Sequence, residues 1–301
     1  MKKGFLAGFI FILIFVGLYF ALEKKETVSA DNKTSKKVQV LVSGYVPYTL
    51  TKTLAQDKAD TVMLLPVNAE PHSFEPAPGS LVQMREADIF VFVSPRLEPW
   101  AQDLLPALPR GALSVELGQD IQAEKDPHIW MNFDYILRMA QTLTDTLCLS
   151  DEENCSFYRE NLEKFKKDIS LLDTSFQKGL ATCQNRLIVH VGHLAFGYLA
   201  QRYGLELEAL SGSSHDGEHS VKRLAGLVDK IREANIKTIF TEETLSSRLA
   251  DTVRTETGVT VLPLYPVEHI SKADFDAQTD YIMLMRRNLE NLQKGLVCQT
   301  L

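Results

Sequence analysis

Between residues 151 and about 178 the apolar side chains of Tyr158, Leu162, Phe165, Ile169, Leu172 and Phe176 recur at threes and fours among many charges. That period lays one apolar stripe along an α-helix. At about 1.5 Å per residue the helix runs roughly 40 Å, the span of a whole small domain. On both sides of it the pattern changes. Short apolar runs with strand character, at 38–45, 61–67, 87–94 and 112–117 before it and 186–192, 205–211, 237–242 and 260–266 after it, alternate with helical patterns. The helical segments include 79–86, 99–108, 194–203, 220–234, 246–257 and 274–295. Strands separated by helices build βαβ units and a parallel sheet. The expected fold class is therefore α/β: two β/α lobes with mainly parallel sheets joined by one long backbone helix. The N-terminal lobe is expected over 38–150, the linking helix over 151–180 and the C-terminal lobe over 181–301. A length of 301 residues suits two domains on a prior of about 150 residues each. The two halves share no detectable sequence repeat.

Lys2 and Lys3 precede an apolar run from Gly4 to Leu22, the pattern of an export signal. Residues 1–30 are thus expected to be a signal, with Val28, Ser29 and Ala30 as small residues at the cleavage point, and 31–37 a polar tether. The run is also long enough, at about 20 residues, to stay in place as an N-terminal anchor. Either way the chain is expected to be exported, periplasmic or tethered to the membrane. No cysteine follows the run, which argues against a lipid-modified N-terminus. Residues 1–30 carry four Lys and two Glu, so their removal takes the net charge from −7 to −9. An acidic product of this kind is a poor partner for nucleic acid.

Cys148, Cys155, Cys183 and Cys298 are even in number, and an oxidising compartment would let them form two disulfides. Cys148 and Cys155 bracket a short polar stretch, which favours pairing them and leaves Cys183 with Cys298. No CxxC or CxxxC pair is present, so a cysteine-based zinc site is not expected. The seven histidines, at 72, 128, 190, 193, 215, 219 and 269, mostly follow expected strands. Loops leaving the carboxyl ends of strands are where open α/β sheets bind ligands. Imidazole suits zinc, copper, iron and nickel, whereas carboxylate-rich sites suit manganese and magnesium.

Four segments carry a resemblance. Pro71-His72-Ser73-Phe74-Glu75-Pro76-Ala77-Pro78, followed by Ala87-Asp88-Ile89-Phe90-Val91-Phe92-Val93 and Leu97-Glu98-Pro99-Trp100, resembles the zinc/manganese solute-binding proteins of bacterial ABC transporters. Asp126-Pro127-His128-Ile129-Trp130-Met131 is similar to that family's second signature. His193-Leu194-Ala195-Phe196-Gly197-Tyr198 with Tyr203-Gly204-Leu205 is similar to its third, and Ile239-Phe240-Thr241-Glu242 to its fourth. The resemblance runs from about residue 38 to 296 in the family's order. It implies a metal held in the cleft between the lobes by His72, His128 and His193, with histidine at the third position favouring zinc over manganese. It also implies capture of the ion and delivery to an ABC permease in the inner membrane by a monomer, not an enzyme.

Two departures bear on the ligand set. Leu194 stands where the family often has Asp after the third histidine, and Leu264-Tyr265-Pro266 stands where many members have Leu-Asp-Pro. Tyr265 is a poor ligand at neutral pH because a phenol titrates near 10. The fourth donor is then Glu268, Glu70 or water, with Glu268 preferred. Residues 214–219, including His215 and His219, read as a solvated turn before a helix N-capped by Ser220, with an accessory metal site as the alternative. His190 is expected to be a hydrogen-bonded core histidine, His269 a solvated loop residue, and Trp100 and Trp130 packing residues. Two rival functions share these features: an exported zinc chaperone or adhesin on the same fold, and a His₃ zinc hydrolase. The hydrolase lacks support, since neither HExxH nor GxSxG occurs.

Overall fold

Parallel pairing dictates the architecture. In the computed structural model, which describes residues 37–121, 126–212, 221–242 and 247–299, eight short strands form two four-stranded sheets. The first contains β1 (Val38–Val42), β2 (Ala59–Met63), β3 (Ile89–Phe92) and β4 (Leu113–Glu116) in the order β2-β1-β3-β4. The second contains β5 (Leu187–Val191), β6 (Glu206–Ala209), β7 (Thr238–Thr241) and β8 (Thr260–Pro263) in the order β6-β5-β7-β8. Every pairing in both sheets is parallel. The two halves therefore repeat one topology although their sequences show no repeat. In each, the chain leaves the first strand on one side and returns on the other, which opens a crevice beyond the carboxyl ends of the central pair, β1/β3 and β5/β7.

The long helix spans Cys155–Ala181 and buries Tyr158, Leu162, Phe165, Ile169, Leu172, Phe176 and Leu180, the stripe expected from the sequence. A 3₁₀ turn at Glu152–Asn154 replaces the first residues of the expected helix. The helix packs on Tyr45–Ala55, Phe133–Ser150 and Tyr281–Gly295, so elements from both halves share one apolar core. Arg202 grips Asp173 of the long helix through Nε at 2.9 Å and Nη2 at 2.5 Å, and the Tyr203 hydroxyl donates to the same carboxylate at 2.7 Å. Both expected disulfides are present, Cys148–Cys155 and Cys183–Cys298. They flank the long helix, tying its start to Phe133–Ser150 and the segment after its end to the segment after Tyr281–Gly295.

Several boundaries differ from the sequence reading. The 38–45 run ends as a strand at Val42, because Tyr45 begins the helix Tyr45–Ala55. The 61–67 run lies two to four residues earlier, as Ala59–Met63, leaving a longer loop before His72. The 99–108 segment shortens to Ala101–Leu104 plus a 3₁₀ turn, and the 194–203 helix to Gly197–Arg202. The 274–295 segment divides into Lys272–Asp276 and Tyr281–Gly295: Gln278 adopts φ +55°, and Asp280 caps the second helix by accepting from the Met283 N–H. The expected Ser220 cap, His215, His219 and residues 1–36 lie outside the described residues. Among the described residues no helix is long and apolar enough to cross a membrane.

Loop closure predicts unequal contributions from the two disulfides. Cys183–Cys298 closes 115 residues and Cys148–Cys155 closes 7, so on chain-entropy grounds they contribute about 5 and about 2 kcal/mol. Paired Cys183→Ser and Cys298→Ser should lower the denaturation free energy more than paired Cys148→Ser and Cys155→Ser, as measured by urea titration.

Candidate metal centre

Four strand-end loops, two from each half, converge on one buried point. His72 lies in the loop after β2 and His128 in the loop after β4, while His193 follows β5 and Glu268 follows β8. His128, His193 and Glu268 have no side-chain exposure, and His72 only 5%. The His128 Nε2 stands 3.3 Å from His72 Nε2, 3.0 Å from His193 Nε2 and 3.1 Å from Glu268 Oε2. His193 Nε2 is 3.1 Å from Glu268 Oε1, and His72 Nε2 is 3.5 Å from Glu268 Oε2. Ligands about 2.0–2.1 Å from a tetrahedral zinc ion lie roughly 3.3–3.4 Å from one another. Five of the six donor pairs are thus spaced as the edges of such a shell.

Two of the three rings, those of His128 and His193, are oriented by a partner behind them. The Asp126 Oδ1 lies 2.6 Å from His128 Nδ1, and the Glu242 Oε1 lies 2.8 Å from His193 Nδ1. A carboxylate at Nδ1 keeps the proton there and turns the Nε2 lone pair inward, the usual support of a metal-binding imidazole. Sequence alone assigns no role to Asp126 or Glu242. Their signal was present in the Asp-x-His spacing and in a carboxylate at the end of β7. The loops are pinned as well: Trp100 Nε1 donates to the Pro71 carbonyl at 2.8 Å and Trp130 Nε1 to the Pro266 carbonyl at 2.7 Å. The buried Asn288 amide bonds both backbone groups of Tyr265, accepting from its N–H at 2.7 Å and donating to its carbonyl at 2.8 Å. Val267, fully buried and β-branched, is held at φ +66° immediately before Glu268. Such a conformation costs on the order of 1–3 kcal/mol.

His190 is buried and its Nδ1 donates to the His193 carbonyl at 3.1 Å, as expected of a core histidine. His269 departs from expectation: it is 8% exposed, with Nδ1 3.6 Å from Glu268 Oε1. The turn from Val267 folds it inward. Glu70, the alternative fourth donor, lies 4.0 Å from His72 Nε2 and accepts the His72 backbone N–H at 3.1 Å, so it stands behind the shell formed by the other four.

Burial opposes a charge on either imidazole, yet the carboxylates outweigh it. Hydrogen bonds to Asp126 and Glu268 raise the His128 pKa. The charge of Glu268 and the hydrogen bond to Glu242 raise His193 well above the ordinary 6.5. Burial would likewise raise Glu268, but His193 and His128 hold it well below 4.5. Protons and a metal ion thus compete for the same imidazole nitrogens.

The chain matches the ZnuA family, described as zinc-uptake complex component A, periplasmic, over residues 40–295. It belongs to that family. The family consists of uptake components, not enzymes. Among its relatives is the high-affinity zinc uptake system protein ZnuA of Bacillus subtilis, 29% identical over 293 residues, 90% of this chain and 91% of that protein. The zinc-binding lipoprotein AdcA of Streptococcus pneumoniae is 28% identical over 287 residues, and the chain spans only 57% of its length. The Zn(II)-bound ZnuA-like domain of that AdcA superposes with TM-score 0.75 at 30% identity, covering 86% of this chain and 99% of the domain. The laminin-binding protein Lmb of Streptococcus agalactiae, described as bifunctional with adhesin and metal transporting activity, gives TM-score 0.79 at 29% identity, covering 87% of this chain and 100% of Lmb.

Two outcomes follow from this geometry. A Cβ on Gly192 would lie 2.4 Å from Glu242 Oε1 and 2.5 Å from His190 Cε1, so Gly192→Ala should destabilise the protein by about 1–3 kcal/mol in urea titration. The raised histidine pKa values contribute metal-free stability fully present below pH 6.5 and lost as pH rises through them. The depressed Glu268 contributes above pH 4.5 and is lost as pH falls through its lowered value. Thermal melts of metal-free protein should therefore show this contribution at its largest between pH 4.5 and 6.5, and His193→Gln should flatten the decline above pH 6.5.

Proposed function

We propose that this chain captures a divalent transition-metal ion, zinc ahead of manganese, through His72, His128, His193 and Glu268 and delivers it to an ABC-type importer in the membrane. The observation that carries the proposal is the convergence of three imidazole nitrogens and one carboxylate within 4.8 Å, five of their six separations being 3.0 to 3.5 Å, at a site where only His72 reaches solvent. Three neutral imidazoles favour zinc, whereas manganese prefers oxygen-rich shells. The similarity to the zinc uptake protein of Bacillus subtilis and to the Zn(II)-bound pneumococcal domain supports the same cargo. Four protein donors fill a tetrahedral shell and leave no open position for a reacting water, which argues against a His₃ zinc hydrolase.

In this reading residues 1–30 export the chain or anchor it, 38–150 and 181–301 act as two lobes, and 151–180 links them in a monomer. The ion reaches the site outside the cytoplasmic membrane and leaves through an inner-membrane permease. The likeness to Lmb supports a second reading, an exported zinc chaperone or adhesin on the same fold. Restoration of growth in low zinc by the chain, dependent on a cognate permease, separates transport from adhesion.

His72→Ala, His128→Ala or His193→Ala should each weaken zinc binding by more than about 100-fold, beyond the loss expected for an outer-shell partner. Chelator competition provides the measurement, and an equal loss in His215→Ala or His219→Ala would overturn the assignment. Because zinc must displace protons from histidines whose pKa values are raised, affinity should fall as pH is lowered from 7.5 to 5.5. Calorimetry in buffers of different ionisation enthalpy should register proton release on binding.

A further inference from the structure

We infer that Glu70, Glu268 and His269 form a second divalent-cation site, on the solvent side of the first and joined to it through Glu268, which the ion occupies on its way to and from the three imidazoles. One ligand atom from each of these residues lies within 4.8 Å of the other two. The inference rests on the proposed metal-capture reading only through Glu268.

The Glu268 carboxylate faces two ways. Its Oε2 is 3.1 Å from His128 Nε2 and 3.5 Å from His72 Nε2. Its Oε1 is 3.1 Å from His193 Nε2 and 3.6 Å from His269 Nδ1, so it stands between the two groups. A buried carboxylate charge is costly unless cations pair with it. Two divalent ions stand about 3.5–4 Å apart in two-metal sites, so one carboxylate is able to serve both groups at once.

Exposure falls along this route. The Glu70 side chain is 15% exposed, the side chains of His72 and His269 are 5% exposed, and that of Glu268 is fully enclosed. Glu70 therefore stands at the solvent edge, with the shared carboxylate innermost. The donor types differ in the same order: two carboxylates and one imidazole outside, three imidazoles and one carboxylate inside. Oxygen-rich shells hold zinc less tightly than imidazole-rich ones. An ion entering from water thus meets a weaker, anionic site first and exchanges donors one at a time, Glu268 staying in contact throughout.

The test is zinc titration of the full chain, stripped of metal, by equilibrium dialysis, with stopped-flow transfer of zinc to a chromogenic chelator. Wild type should take up one tight equivalent and a second, weaker one. Glu70→Gln, His269→Gln and their combination should lose the weak equivalent and slow transfer at least tenfold. The tight equivalent should survive, weakened by no more than about tenfold, since Gln at 70 still accepts the His72 N–H. If His269→Gln lowers the thermal midpoint, Glu70→Gln at the solvent edge is read alone. A wild type that binds a single equivalent overturns the inference, as does a weak equivalent and transfer rate that persist in the altered chains. Absence of the tight equivalent from wild type would instead defeat the metal-capture reading.

Discussion

Four electron-rich groups within 4.8 Å of one another, five of their six separations only 3.0 to 3.5 Å, repel inside a protein unless a cation stands among them. Neutral imidazoles there present lone pairs to each other, and the Glu268 carboxylate adds a negative charge where water is scarce. The pocket answers by taking protons, which is why His128 and His193 hold them more strongly than a free histidine while Glu268 hardly takes one at all. The same demand makes a divalent ion the better occupant. The surrounding braces, from the indoles of Trp100 and Trp130 to the Asn288 amide, hold the donors together against that repulsion.

Both halves solve the positioning problem in one way. At the central crevice of the second sheet, Glu242 after β7 reaches across to His193 after β5. At the corresponding crevice of the first sheet, Glu98 after β3 accepts from the Ser43 hydroxyl after β1 and from the Val93 N–H. A glycine sits beside each carboxylate, Gly44 in one half and Gly192 in the other. Burial pushes Glu98 up to about 7 while three hydrogen bonds resist it, so that carboxyl ties strand ends together. Its counterpart Glu242 has a histidine to orient instead. One topology thus carries a structural bridge in one half and a ligand support in the other, without any sequence repeat to announce it.

The long helix was legible because its stripe from Tyr158 to Phe176 buries one continuous face, and periodicity records that directly. The strands were legible because parallel strands covered on both faces read as apolar runs. Helix Phe133–Ser150 was not singled out, although Phe133, Ile136, Met139, Ala140, Leu143 and Leu147 line its buried face. His72, His128 and His193 were named through resemblance, because residues separated by 56 and 65 positions carry no local signal that they meet. His269 was misplaced as solvated: nothing in Val267 or Glu268 announces the left-handed turn that sends it inward.

A carrier has to hold its ion tightly and still give it up, and the frame determines where motion is available. The long helix shares its core with helices of both halves, is gripped through Asp173 by Arg202 and Tyr203, and is flanked by disulfides. Bending it would separate apolar surfaces along its whole length, at about 25 cal/mol for every Å² exposed. The donors instead sit on loops outside the regular elements, and the strained backbone at Val267 lies beside one of them. Displacing the half-exposed loop around His72 by an ångström disturbs little packing, yet it removes a donor from a shell whose bonds are only about 2 Å long. Rigidity in the helix and adjustability at the strand ends are therefore complementary: the frame fixes where the four donors meet, and small movements of the loops suffice to open the shell.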